Sequence, residues 1–257
     1  MRIALFSDVH ANLPALHAFF ADLDTRDVDA VYCLGDLVGY NIWPNEVVYE
    51  IKKRNIPVIA GNYDYGIGRR SDDCGCAYKT DHDKANGSIS IAFTNEIMKD
   101  AERQYLRSLP AHINVEYRLN DEKLNLLLVH GSPRKINEYL FEDREEKSLL
   151  RIMEQANADI MCFGHTHMPY HRILNSGNED APHYRHAINL GSVGKPKDGD
   201  ARGCYVLLTI DENTSIQNEN SIKVEFIRFE YDVEAAARAI EGSPLPNEYA
   251  AMLRKAY

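Results

Sequence analysis

Arg2-Ile3-Ala4-Leu5-Phe6-Ser7-Asp8-Val9-His10 begins with a short apolar run and turns abruptly polar on an aspartate and a histidine. A compact apolar run bounded this way predicts a buried strand over 2–7 that delivers Asp8 at its end. Asn12 then supplies a helix cap and Pro14 sits in the first turn, where a missing N–H is harmless. Leu13, Leu16, Phe19, Phe20 and Leu23 mark one face of the helix that follows. The pattern repeats downstream. A strand over 30–34 stops at Gly35-Asp36, a helix covers 45–54, and a third strand over 57–60 stops at Gly61-Asn62. Strands alternating with helices predict βαβ units and a parallel sheet.

Beyond Asp64 the chain is polar and rich in turn residues to position 85, which reads as a surface excursion. Helical patterning returns over 89–106 and stops before Pro110. An apolar strand over 124–129 ends at His130, and a helix over 145–156 presents Leu149, Ile152 and Met153 on one face. A strand over 159–163 ends at Gly164. Strand-like segments follow at 170–174, 184–189, 204–210 and 222–229, and two short helices close the chain. No repeat, low-complexity tract or linker interrupts it. The expected architecture is a single domain over 1–257, α/β in class, with stacked sheets flanked by helices.

Five apolar runs thus stop at residues that can bind a metal: Asp8-x-His10, Asp36, Asn62, His130 and His165-x-His167. Ligands of open α/β sheets gather at the carboxyl ends of strands. An isolated Asp-x-His, or an Asn after Gly, is more often a turn than a site. Agreement of order, strand-end placement and flanking glycines across all five is a different matter. Carboxylate, imidazole and amide oxygen donors suit manganese, iron, cobalt, nickel or zinc. Seven ligands are too many for one such ion and suit two that share a bridge.

Together, Asp8-x-His10, Gly35-Asp36-x-x-Gly39, Gly61-Asn62-x-Asp64, His130 and Gly164-His165-x-His167 resemble the calcineurin-like metallophosphoesterase superfamily. The resemblance implies a four-layer αββα sandwich with a dinuclear centre. One ion would take Asp8, His10, Asp36 and His167; the other would take Asp36, Asn62, His130 and His165, with Asp36 as the bridge. It also implies hydrolysis of a small phosphodiester, phosphomonoester or nucleotide by in-line attack of a metal-bridging hydroxide. Asp36, Tyr63 and His130 are then the expected catalytic residues. The two divalent ions would be manganese in the first instance, with iron, zinc, cobalt or nickel as alternatives. The sequence departs from the family at two places. Tyr63 stands where members carry the histidine that protonates the leaving oxygen, and Gly39 stands where the protein-phosphatase branch has an aspartate orienting that histidine. A phenol of pKa about 10 is a poor acid at neutral pH, so good leaving groups are expected. A metal-binding scaffold or sensor with little turnover is the second reading.

Downstream, Asn189-Leu-Gly191-Ser192-Val-Gly-Lys195 resembles a segment found late in bacterial members. Its backbone N–H groups and the Lys195 ammonium are candidate phosphate contacts, and Arg202 is a further one. Asn62, Gly191, Ser192, Lys195 and Arg202 make up the expected substrate-binding set. Cys74 and Cys76 fall in the polar excursion and read as loop residues near the mouth of the site.

Over 257 residues, a hydrophobic share of 44% and a charged share of 26% are those of a globular chain. The formal net charge of −10 argues against a protein that coats nucleic acid or anionic membrane. It does not exclude a small phosphorylated partner, because bound divalent ions would make the mouth of the site locally positive. No apolar run reaches the roughly 18–20 residues of a membrane-spanning helix. The five cysteines, odd in number and scattered, suit a reducing cytosol, so a cytoplasmic location is expected. The oligomeric state is left open.

Overall fold

The computed structural model describes residues 1–119 and 122–257. In chain order the elements are β1 (Arg2–Phe6), α1 (Leu13–Leu23), β2 (Ala30–Cys33), α2 (Pro44–Lys53), α3 (Asn62–Gly68), α4 (Asp81–Ile97), α5 (Asp100–Ser108), β3 (His112–Leu119) and β4 (Glu122–Val129). They continue with α6 (Glu146–Gln155), β5 (Ile160–Phe163), β6 (Tyr170–Asn175), β7 (Tyr184–Asn189), β8 (Gly203–Thr209), β9 (Lys223–Phe229), α7 (Val233–Glu241) and α8 (Asn247–Lys255). Two mixed sheets result, ordered β2-β1-β8-β9 and β3-β4-β5-β7-β6. The pairs β1–β2, β4–β5 and β5–β7 are parallel and the others antiparallel.

Side-chain alternation along the strands builds the layers. Ile3 and Leu5 on β1 point toward the second sheet and pack with Leu126, Leu128, Ile160 and Ile188. Ala4 and Phe6 point the other way, onto Leu16 and Phe19 of α1 and Val47 and Ile51 of α2. On the far sheet, Leu127, Val129, Met161 and Phe163 turn outward onto Leu149, Ile152 and Met153 of α6. The order is helix, sheet, sheet, helix: a four-layer αββα sandwich. Because β1 and β2 run parallel in one sheet and β4 and β5 in the other, the loops that leave them carry Asp8, Asp36, His130 and His165 out of parallel strand ends.

The local structure differs from the sequence pattern in four places. Residues 57–60 form a single bridge, Cys33 to Val58, and not a strand. Pro57 has no N–H to donate, and Gly61 already caps α3. The polar stretch after Asp64 is not all surface: α3 is buried, and α4 starts at a Thr80–Asp83 capping box. The helical pattern over 89–106 divides into α4 and α5. Asn45 of α2 enters the break, its amide donating to the Ile97 carbonyl (2.9 Å) and accepting from the Lys99 N–H (2.8 Å). Finally, β3 is an edge strand whose strict alternation of exposed and half-buried residues the apolar-run reading missed.

Arg103 of α5, wholly buried, ties three helices together. Its guanidinium donates to the Ile67 carbonyl of α3 and to the side chain (2.9 Å) and carbonyl (2.8 Å) of Asn95 in α4. Since α3 begins with Asn62, this clamp also positions a candidate ligand. Replacing Arg103 by Met strands two buried carbonyls at about 1–3 kcal/mol each. Urea denaturation of Arg103→Met should therefore show a loss of about 2–6 kcal/mol.

Candidate metal centre

Five of the seven candidate ligands have left-handed backbone conformations: Asp8 (φ 57°), His10 (φ 46°), Asp36 (φ 54°), His165 (φ 67°) and His167 (φ 61°). For residues with a Cβ this costs about 1–2 kcal/mol each, so the surrounding structure must hold them there. It does so by main-chain bonds between neighbouring loops. Asp8 N–H donates to the Gly35 carbonyl (3.0 Å), His10 N–H to that of Asp36 (2.9 Å) and Gly164 N–H to that of His130 (2.9 Å). Two glycines permit the carboxylates to come so close. A Cβ on Gly61 would lie 2.1 Å from Asp36 Oδ1, and one on Gly164 would lie 2.4 Å from Asp8 Oδ2.

Two buried triads result, Asp8-His10-His167 and Asp36-His130-His165, each with its donor atoms within 4.8 Å of one another. Asp36 Oδ2 stands between them, 3.6 Å from His10 Nε2 and 3.4 Å from His130 Nε2. Asn62 joins the second group through Oδ1, 3.1 Å from His130 Nε2. All seven residues are therefore brought to one place.

The donor chemistry fits divalent cations. His10, His130 and His167 each set Nδ1 against a backbone carbonyl, those of Val38 (3.0 Å), Leu34 (2.8 Å) and Lys195 (2.6 Å). A carbonyl only accepts, so Nδ1 carries a proton in all three, and Nε2 of His10 and His167 presents a lone pair to the centre; Nε2 of His130 faces the oxygens of Asp36 and Asn62 and would present its lone pair once a cation replaces its second proton. The Nε2 atoms of His10 and His167 lie 3.1 Å apart with no proton to share. Asp8 Oδ1 and His165 Nε2 are buried without any hydrogen-bond partner. Acceptors crowded together and left unpaired are what a cation site requires.

Electrostatics agree. Burial pushes His10 and His165 down to about 3, and burial with the nearby Lys197 ammonium pushes His167 well below its ordinary value, so all three are neutral ligands. His130 goes the other way. Burial lowers it, but the charge and hydrogen bond of Asp36 outweigh that and raise it to about 10. The Asp36 carboxylate thus draws positive charge to the middle of the centre.

Tyr63 and Gly39 prove to be physically linked. A Cβ on Gly39, which has φ +90°, would fall 2.4 Å from the Tyr63 ring. The ring of Tyr63 packs edge-on to His10 with centroids 5.5 Å apart, and it also touches Tyr40 at 4.8 Å. Its hydroxyl is buried without a partner. Burial raises the phenol well above 10, and Tyr40 and Cys76 add to the shift. The backbone N–H of Tyr63 donates to Asp36 Oδ1 at 2.8 Å.

The loop at 189–195 requires a correction. Its N–H groups are not free for a phosphate. Gly191 N–H donates to Asn189 Oδ1 (3.0 Å), Val193 N–H to Ser7 O (3.0 Å), Gly194 N–H to Asp8 O (3.0 Å) and Lys195 N–H to Ser192 Oγ (2.8 Å). Ser192 Oγ in turn donates to Asp8 O at 2.8 Å. Ser192, Val193 and Gly194 therefore brace the Ser7–Asp8 turn, and Gly191 donates within its own loop. Arg202 does not join the centre either. It is exposed, and its guanidinium is forked onto Asp200, two residues away, at 2.7–3.1 Å. Lys195, by contrast, is buried beside the centre, and burial and Lys197 push its ammonium well down.

Sequence reasoning overlooked several braces. Asp64 accepts from the N–H groups of Leu37 (2.9 Å) and Gly61 (3.0 Å), holding the Asp36 and Asn62 loops together. Burial, followed by the Asp36 charge, raises its carboxyl to about 7. Its place three residues after the Gly61 cap was the available signal. Asn41 donates to His10 O (2.9 Å), and Asn189 donates to Gly164 O (3.0 Å). Asn41 stands in no local pattern that marks it, and Asn189 opens the glycine-rich segment that was read for phosphate contacts.

Comparison with known proteins agrees with this geometry. A family model described as calcineurin-like phosphoesterase superfamily domain matches residues 1–213. The chain is 32% identical over 257 residues to an uncharacterized protein of Methanocaldococcus jannaschii, covering 95% of this chain and 93% of that one. It is 26% identical over 238 residues to the UDP-2,3-diacylglucosamine hydrolase of Psychromonas ingrahamii, covering 77% and 95%. Among solved structures, a metallophosphoesterase from Sphaerobacter thermophilus aligns over 100% of both chains with a TM-score of 0.74 at 28% identity.

The Gly39–Tyr63 contact can be measured by a double-mutant cycle. Gly39→Ala should cost about 2–4 kcal/mol through strain and overpacking. In a Tyr63→Ala background it should cost about 1–3 kcal/mol less. Strictly additive denaturation energies would show that the two positions do not interact.

Proposed function

The chain belongs to the calcineurin-like phosphoesterase superfamily, and on that premise we propose that it hydrolyses small phosphorylated molecules with two divalent cations, manganese first among them. The observation that carries this reading is the pair of buried triads meeting at Asp36, with imidazole lone pairs and an unpaired carboxylate oxygen turned inward. Asp8, His10 and His167 would hold one cation, Asn62, His130 and His165 the other, and Asp36 both. Cations bound there supply Lewis acidity toward phosphoryl oxygens and lower the pKa of water near them.

The chain's own residues set the rest. Main-chain bonds fix the two loops that carry Asp8 and Asp36, so the donor set needs no rearrangement on binding. No imidazole occupies the position of Tyr63, and its buried phenol, raised above 10, is a poor proton donor to a leaving alkoxide. Substrates whose leaving group departs unprotonated are therefore favoured: aryl esters and phosphoanhydrides, the anhydride bonds of nucleoside di- and triphosphates among them. The similarity to a hydrolase named for a UDP-linked sugar supports testing nucleotides early. Among the described residues no helix is long and apolar enough to cross a membrane. All five cysteines are free thiols, which supports a cytoplasmic setting.

The test is hydrolysis of bis-p-nitrophenyl phosphate with Mn²⁺, together with elemental analysis of the purified protein. Turnover should fall to background in Asp36→Asn and His130→Ala, and the metal content of Asp36→Asn should drop with it. Inactivity with each of Mn²⁺, Co²⁺, Ni²⁺ and Zn²⁺ would leave a metal-binding scaffold as the better description.

A separate measurement addresses the leaving group. Tyr63→His should raise turnover of alkyl phosphates relative to aryl phosphates by about tenfold or more, within the usual range for a general acid. An unchanged or reduced ratio would refute the leaving-group argument.

A further inference from the structure

Beside the metal centre lies a cavity of about 290 Å³, roofed by the C-terminal helix α8 and the final residue, Tyr257. It is joined to the centre by two aromatic walls. Tyr40 packs on His10 with ring centroids 4.8 Å apart, and Tyr139 packs on His165 at 4.1 Å. Three lysines line it: the exposed Lys79, and Lys195 and Lys197 on the side of the centre.

Lys195 is only 2% exposed, yet its ammonium meets no carboxylate. It lies 3.5 Å from the thioether of Met252, and it faces the rings of Tyr40 and Tyr249 at 4.8 and 6.0 Å. Ring faces return only part of the hydration that a buried ammonium gives up. Lys197 likewise has no ion-pair partner among the described residues. Its field reaches His165 and His167, and the carboxylates acting on it are Asp8 and Asp36, which the cations would occupy. The Tyr78 hydroxyl in the same wall is buried and unpaired. The one acidic side chain among the lining residues, Asp83, serves the Thr80 helix cap. Lys195, Lys197 and the Tyr78 hydroxyl are thus assembled with no acidic side chain paired to them.

We propose that this cavity is a second-anion subsite, binding through Lys195 and Lys197 a further phosphoryl group of a substrate whose scissile phosphoryl sits at the metal centre. The inference rests on the hydrolase reading and narrows its substrate class to molecules with two linked phosphoryl groups, such as nucleoside diphosphates and other phosphoanhydrides. The small volume suits a compact anionic group better than a bulky one. Met252, Tyr249 and Tyr257 lie beyond residues 1–213, which the family model matches. The two lysines thus lie within the matched domain, and the segment beyond it adds the thioether and aromatic wall that faces them.

Calorimetry of the metal-loaded protein, freed of excess metal, compares methylenediphosphonate with methylphosphonate. Wild-type protein should prefer the diphosphonate by about tenfold or more. The preference should fall to about twofold or less in Lys195→Met and Lys197→Gln. Lys197→Gln alters a half-buried side chain, so it decides the matter should Lys195→Met fail to fold. No preference in wild type, or a preference kept in Lys197→Gln, overturns the subsite. Turnover of bis-p-nitrophenyl phosphate, which has a single phosphoryl group, reports the hydrolase reading separately. Diester turnover without diphosphonate preference rejects only the subsite, and preference without turnover rejects only the hydrolase.

Discussion

The Asp36 carboxylate, wedged between imidazoles from opposite sheets, is the contact on which the rest of the structure turns. His10 follows β1 in one sheet and His130 follows β4 in the other, and Asp36 Oδ2 lies 3.6 and 3.4 Å from them. The other carboxylate oxygen accepts the Tyr63 N–H at 2.8 Å, so the same side chain also anchors the start of α3. A buried carboxylate must be paired or neutralised. Here the neighbouring groups are acceptors as well, apart from His130, and the arrangement makes sense as a receptacle for positive charge. The two sheets must pack so that their parallel strand ends coincide, and the apolar layer between them sets that registration.

Holding such a cluster requires strained backbone, and seven of the eleven non-glycine residues with positive φ among the described residues lie in the candidate ligand loops. Five ligands with positive φ represent a cost of about 1–2 kcal/mol each. The offset comes from bonds that run between loops and not within them: Asp8 to Gly35, His10 to Asp36, Gly164 to His130, and the 189–195 loop onto Asp8. The three imidazole Nδ1 protons are spent on carbonyls of Val38, Leu34 and Lys195. Each carbonyl belongs to a loop that supplies or braces another ligand, so the centre is fixed before any ion arrives.

Position 39 and position 63 are coupled through space. The space that a side chain at 39 would fill is taken by the Tyr63 ring, and the ring in turn supports His10. The two positions together give a continuous aromatic wall from His10 through Tyr40 to Tyr249 of α8.

The candidate ligand set and most strands were legible in the chain because each depends on short-range signals, an apolar run with a glycine and a polar residue at its end; the four layers were expected only through the family resemblance those residues carry. Asp8, His10, Asp36, Asn62, His130, His165 and His167 could be named without coordinates for that reason. The break between α4 and α5 could not, since it depends on Asn45, more than fifty residues earlier in the chain. Nor could the fate of the 189–195 loop. Its glycine-rich composition suited a phosphate cradle equally well, and only the approach of Ser192 to Asp8, 184 residues away in sequence, commits its donors to bracing. Lys195 could be picked out as a cation, but what it faces was decided by α8, whose Met252 and Tyr249 reach it across the fold. The sequence by itself thus determined which residues could bind metal. The tertiary structure decided which polar groups remain unpaired around them, because pairing is a property of contacts between distant segments.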